Sequence, residues 1–349
     1  MRHVRITQLD ALSDAKLPNL ALMKLSAWHR QRGDHVHFFA SPFRELGEPE
    51  YAAVYGSAIF EKSRPMAEQL SVQFPGALVG GTGTTSVLTV EAITGEDFDE
   101  LDYDLYPDFT GSLGFTARGC RFKCGFCVVP KKEGRPKGVA TIADIWRGEP
   151  WPKHIHLLDN DFFGQAKALW KARTAEIRDG GFAVCFNQGV NVRVITEEIA
   201  EELASLDYRD DGFRKPRLYT AWDNLGDERL FFNGVDRLER AGVKPSHLMA
   251  YMLVGYDPAE TWATVLYRFE QMVALRIWPF AMVYGDDQRG LPLGGCNADV
   301  GHQRLADFRR WVNGGIYRRA VSFESYDVST KWDHFAANQG ALFSDGRES

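Results

Sequence analysis

The chain has 349 residues, of which 44% are hydrophobic, 13% aromatic and 25% charged, a composition that suits a folded globular protein long enough for two domains or one domain with an extension. Its formal net charge of -6 argues against a surface built throughout for phosphate backbones, so nucleic acid is not the favoured partner. The opening "MRHVRITQLDALSDAK" has neither an apolar core nor a small-residue cleavage site, and no later run is long and apolar enough to span a bilayer; a cytoplasmic protein with no membrane partner is expected.

In the first hundred residues short apolar runs alternate with helical ones. Strands are expected at "VRITQL" (4–9), "HVHFFA" (35–40), "AAVYGS" (52–57) and "GALVGG" (76–81). Between them, "PNLALMKLSAWHRQRGD" sets Leu22, Leu25 and Trp28 on one helical face and stops at Gly33, and a shorter helix starts at Pro65. This reads as a small open α/β layer. The acidic stretch "EAITGEDFDELDYDLYPDF" (91–109) has no clean period and many like charges, which suits a solvated connection, with a domain boundary near residue 105.

Beyond that boundary six apolar runs recur: "SLGFTA", "HIHLLD", "FAVCFN", "RLYTAW", "HLMAYMLVG" and "PFAMVYG", each separated by a helix-like segment. The clearest helix is "AETWATVLYRFEQMVAL", with Trp262, Val265, Leu266, Phe269, Met272 and Val273 on one stripe, a packing face and not a cofactor box. Six such βα units make an open doubly wound sheet or a partly closed barrel, and either arrangement puts functional groups in the loops after the strands.

Three of the five cysteines lie within "RGCRFKCGFC". Cys120, Cys124 and Cys127 form C-x3-C-x2-C directly after the first strand of this series, and thiolates so spaced select zinc or an iron-sulfur cluster in a reducing compartment. A closed zinc site needs a fourth N or S ligand. The nearest imidazoles, His154 and His156, sit in an apolar strand without finger-like spacing. A centre with one open position is built to bind substrate; three unligated core cysteines and a zinc knuckle are the bland alternatives.

The segment resembles the CxxxCxΦC signature of the radical S-adenosylmethionine superfamily, with Phe126 in the aromatic place, over roughly residues 105–315. The resemblance implies a partial (β/α)6 barrel of the TIM type with a single 4Fe-4S cluster on Cys120, Cys124 and Cys127, its fourth iron chelating S-adenosylmethionine. It implies reductive cleavage to methionine and a 5'-deoxyadenosyl radical that modifies an unidentified substrate. By the same resemblance S-adenosylmethionine contacts fall on Phe126, on Asp159, Asn160 and Asp161 in "LLDNDFFGQ", where the family's glycines are absent, on Arg193 in "FNQGVNVRVITEE", and on Gly255 in "LVGYDPAET". The cluster of Arg118, Arg121, Lys123, Lys131, Lys132, Arg135 and Lys137 would tune the cluster, dock an electron donor such as a flavodoxin or ferredoxin, or be plain solvated charge. Cys296, in the polar loop "VYGDDQRGLPLGGC", is a candidate substrate-site thiol, and Cys185 reads as core.

The N-terminal layer resembles the Rossmann-like cobalamin-binding domain that precedes many such barrels. Gly80 and Gly81 stand where that domain's Gly-Gly turn meets the nucleotide tail, but "QLDALSDAK" holds no His or Gly for the D-x-H-x-x-G loop, so a degenerate domain without cobalamin is expected. No cysteine precedes Cys120, which limits the chain to one cluster. The expected plan is thus 1–104 Rossmann-like, 105–315 barrel and 316–349 C-terminal extension. A cobalamin-dependent methyltransferase, and a zinc-stabilised nucleic-acid-binding module, are the alternative readings.

Overall fold

The computed structural model describes residues 1–11, 17–86, 88–96, 98–285, 302–319 and 321–326. The chain divides into two compact units, Met1–Thr110 and Gly111–Asp286 with the described residues that follow.

The first unit carries β1 (His3–Gln8), α1 (Leu20–Gln31), β2 (His35–Phe39), β3 (Ala53–Ser57), α2 (Arg64–Gln73), β4 (Leu78–Gly80) and α3 (Val90–Thr94). All four strands are parallel, in the order β2-β1-β3-β4, the order in which a doubly wound layer begins. Helix α1 starts where the Asn19 side chain accepts the Leu22 N–H, and it buries Leu22, Met23 and Leu25. Helix α2, with Pro65 in its first turn, lays Leu70 against Gly56, where any Cβ would stand 2.6 Å from Leu70 Cδ2. The acidic stretch is largely exposed, as its charge suggests, but it is also tied to α1. Its carboxylates meet the polar face of α1 one by one: Asp99 pairs with Lys24, Glu96 with Arg32, Asp102 and Asp104 with Arg30, and Asp102 also accepts the Ser26 hydroxyl.

The second unit carries β5 (Ser112–Gly114), β6 (Ala117–Arg118), α4 (Val129–Lys132), β7 (Lys137–Gly138), α5 (Ile142–Ile145), β8 (His154–Leu157), α6 (Lys167–Asp179) and β9 (Ala183–Phe186). There follow α7 (Glu197–Ala204), β10 (Asp207–Tyr208), β11 (Leu218–Ala221), α8 (Glu228–Arg240), β12 (Leu248–Val254), α9 (Trp262–Ala274), β13 (Trp278–Val283) and α10 (His302–Asn313). The six expected strands are β5, β8, β9, β11, β12 and β13, and all their ladders are parallel. They form two open sheets, β10-β9-β8-β5 and β11-β12-β13, and not a closed barrel. The reason is local: the two-residue strand β10 occupies the free edge of β9 at Ala183 and Val184, and among the described residues a single backbone bond, Val190 N–H to Tyr219 O at 2.8 Å, links the next turn to β11.

One core holds this unit together, packed from Ile155, Leu157, Val184, Leu218, Ala250 and Val254 on the strands and from the apolar stripes of the helices. In α9, Val265, Phe269 and Met272 are buried as the period requires, but so is Arg268, whose guanidinium bonds Trp222 O, Leu253 O and Glu260. Among the described residues no helix is long and apolar enough to cross a membrane.

Candidate functional site

Strand β5 stops at Gly114 because the next amides turn to a side chain. Asp159, just past β8, accepts the Thr116 N–H (3.0 Å), the Thr116 hydroxyl (2.7 Å) and the Ala117 N–H (2.6 Å). The chain then pairs β6 antiparallel with β7, and this short ladder is the neck from which the cysteine loop hangs. Gly119 closes the neck: its φ of 95° lies in the left-handed region, and a Cβ there would meet Arg135 O at 2.5 Å. The Cys120 N–H bonds Gly134 O and the Cys127 N–H bonds Cys124 O, both at 3.0 Å.

Three further anchors set the loop. Asp161 takes the Arg121 backbone N–H and both arms of its guanidinium (2.8–3.1 Å). Glu133 accepts from Arg118, from the Gly119 N–H and from Asn160. Arg193, following β9, lies 4.7 Å over the Phe122 ring, is paired with Asp227 at 2.7 Å, and gives its Nε–H to Asn191 Oδ1 at 3.1 Å. Past β12, Tyr256 sets its ring edge-on to Phe126 at 5.3 Å, and its hydroxyl fills the space a Cβ on Gly125 would need. Gly255 adopts φ 78° and gives its N–H to Glu260 at 2.7 Å. Loops after β8, β9 and β12 therefore meet on the cysteine segment. Asp159, Asn160 and Asp161 spend their side chains on holding it.

Cys120, Cys124 and Cys127 are free thiols and all partly accessible. Burial pushes the Cys120 thiol up, and the charges of Asp161, Cys124 and Cys127 add to the rise. Among the described residues no group of three or more His, Cys, Asp or Glu is gathered in metal-holding geometry. The donor chemistry nonetheless fits a thiolate-bound iron-sulfur cluster: three soft ligands on one loop, with a guanidinium beside them. The histidines that could complete a zinc shell are committed elsewhere, His154 stacked on Phe213 at 4.3 Å and His156 bonded to Asn187 at 3.1 Å.

Several residues of the site were not expected from sequence. Phe122, Glu133, Asp227 and Tyr256 are such, and so is Asp223, which burial pushes above the usual carboxylate range while it accepts the Leu253 N–H at 3.1 Å, with Arg268 and Arg193 near it. An acid directly after a strand, in "YTAWDN", was the available signal. Cys185 is buried, and Cys296 lies outside the described residues.

In the first unit a residue just after β1 ties down the loop after β3. The buried Asp10 carboxylate accepts the Ile59 and Phe60 N–H groups at 2.7 and 3.1 Å. A Cβ on Gly81 would stand 2.1 Å from Ala58 O, so this glycine serves a backbone approach within the fold; Gly80 ends β4. No protein-family model matches the chain, and no curated protein matches it.

Proposed function

We propose that the chain is a radical S-adenosylmethionine enzyme, its second unit a partial (β/α)6 barrel and its cysteine loop the seat of a single 4Fe-4S cluster held by Cys120, Cys124 and Cys127. One observation carries this reading: a three-thiol loop leads out of the first strand of a parallel series, and the loops after three later strands supply Asp161, Arg193 and Tyr256 to it. When bound, the cluster supplies an electron that splits S-adenosylmethionine into methionine and a 5'-deoxyadenosyl radical.

The chain's own part is to hold the loop. Asp159 and Glu133 fix the neck of the loop, Arg193 packs on Phe122, and Tyr256 packs edge-on to Phe126. The Arg193 fork, one arm of which Asp227 engages, suits a carboxylate ligand.

Anaerobic reconstitution with iron and sulfide tests the proposal. The expected result is a cluster absorbance that is lost in each of Cys120→Ala, Cys124→Ala and Cys127→Ala, and formation of 5'-deoxyadenosine from S-adenosylmethionine and dithionite. One zinc per chain with no iron uptake would refute it.

A further inference from the structure

Three histidines of the first unit stand together at the edge of its sheet. His35 and His37 alternate on the edge strand β2 and so project to one face, and His3 on β1 is the register partner of His35. His3 Nδ1 and His37 Nε2 lie 2.9 Å apart with one hydrogen between them. The ring centroids form a triangle of 5.1, 5.5 and 5.6 Å, and the His35 ring is parallel to His3 within 10°.

The other histidines whose side chains are described have partners. His29 sits between Asp34 and Tyr55, His247 bonds the Tyr208 hydroxyl, and His154 and His156 are committed as above. Around the cluster, Glu48 is taken by Arg5 and by the Tyr51 hydroxyl at 2.8 Å, while the Tyr51 ring meets His37 edge-on at 5.6 Å. Among the described residues no carboxylate hydrogen-bonds any of the three imidazoles. Folding alone thus gives no reason for collecting them, and a neutral imidazole is the commonest metal ligand.

A zinc-class ion binds imidazole nitrogen at about 2.0–2.1 Å, which sets two nitrogens of a tetrahedral shell about 3.3 Å apart and their ring centroids about 5 Å apart. The His3–His37 pair is about 0.4 Å short of that nitrogen separation. His35 stands at the required range but does not yet aim at the same point, so the three are not gathered as they stand. Its ring is exposed, and among the described residues no hydrogen bond prevents it from turning.

We propose that His3, His35 and His37 bind a divalent transition-metal ion of the zinc class, with water in the fourth position. The ion enters between His3 and His37, whose shared hydrogen moves through solvent to the far nitrogen of the ring that carried it, so both rings stay neutral. His35 then turns to close the third bond. The site uses imidazoles of the first unit and no thiol, so it is independent of the enzyme reading above. A carboxylate behind a ligating histidine is worth about 10–100-fold in affinity; none stands here, and binding weaker than that of a structural zinc site is expected.

The test titrates cobalt(II) into the full chain carrying Cys120→Ala, Cys124→Ala and Cys127→Ala, which removes the competing thiols. Visible ligand-field bands are expected at one ion per chain, without the near-ultraviolet charge-transfer band of thiolate coordination, and zinc(II) is expected to displace them. Losing a ligand costs more than losing the residue behind it, so His3→Gln, His35→Gln and His37→Gln are each expected to weaken binding by more than about tenfold, with circular dichroism and the His247→Gln control unchanged. Absence of the bands, or binding that survives any one of the three substitutions, overturns the site. A second readout uses the unsubstituted chain: zinc(II) is expected to protect the peptides holding His3, His35 and His37 from diethyl pyrocarbonate, read by mass. Equal modification with and without zinc refutes the proposal.

Discussion

Asp159 gives the sharpest test of how the cysteine loop is held. It is 3% exposed and accepts three hydrogen bonds from Thr116 and Ala117, yet burial outweighs those bonds and pushes its carboxyl up to about 6. The sign follows from linkage: with the folded pKa above the ordinary value of 3.8, the folded chain binds the proton more tightly, so the stability from this group is complete at low pH and lost as pH rises through about 6. With these two values the contribution falls by about 1.3 kcal/mol between about pH 5 and about pH 7. Asp159→Asn removes the titration and turns its amide N–H₂ toward one of the two backbone donors, Thr116 N–H or Ala117 N–H, at a cost of about 1 to 3 kcal/mol for the group left unpaired. Urea unfolding of the metal-free wild type and variant is therefore expected to show a penalty larger at the lower pH by about 1.3 kcal/mol. A penalty that grows with pH would mean that the carboxylate is the favoured form and that the three donors, not burial, decide its charge.

Other outcomes follow from the same contacts. Arg268→Ala leaves Glu260 buried without its partner and is expected to lower stability by about 3 to 5 kcal/mol in urea unfolding, with Arg268→Ala/Glu260→Ala recovering part of the loss. Gly81→Ala drives a Cβ into Ala58 O and is expected to unfold the first unit, whereas Gly33→Ala, also at positive φ but with nothing within 4 Å, costs only about 1 to 2 kcal/mol; circular dichroism melts compare the two. Arg193→Lys keeps the charge but loses the fork, so S-adenosylmethionine is expected to bind more weakly with iron content unchanged, measured by equilibrium dialysis against the reconstituted protein. Lys131→Glu/Lys132→Glu is expected to raise the KM for a flavodoxin-type donor and flatten its salt dependence, while dithionite-driven cleavage stays at the wild-type rate.

What could be read in advance was whatever repeats at short range. All ten expected strands lie within a few residues of their observed bounds, because alternation and turn residues are local, and the cysteine spacing is legible for the same reason. Groups that act across the fold were not. The stripe on α9 passes over Arg268, since a charge is read as exposed until the carbonyls of Trp222 and Leu253 and the Glu260 carboxylate are seen to meet it. Like charges at 91–109 looked solvated because their partners on α1 lie some seventy residues away in the chain. The opening between the two sheets turns on β10, two residues long and too short to carry a period.

The charge around the cysteine loop separates on contact with the structure into two populations. Arg118 and Arg121 are spent inside the loop, on Glu133 and Asp161, and their work is to shape it. Lys123, Lys131, Lys132, Arg135 and Lys137 are exposed, and among the described residues no carboxylate pairs with any of them. In a chain of net charge -6 an uncompensated basic cluster beside exposed Phe126 and Val128 is a local exception. Exposed lysines in water contribute little to stability, so folding alone does not account for collecting them there. Their field acts outward, where it raises the encounter rate of an acidic partner and does so less as salt increases. Loop shaping and partner attraction are thus carried by different residues, and substitutions can separate them: loss of Arg121 should disturb the thiols, and loss of the lysines should not.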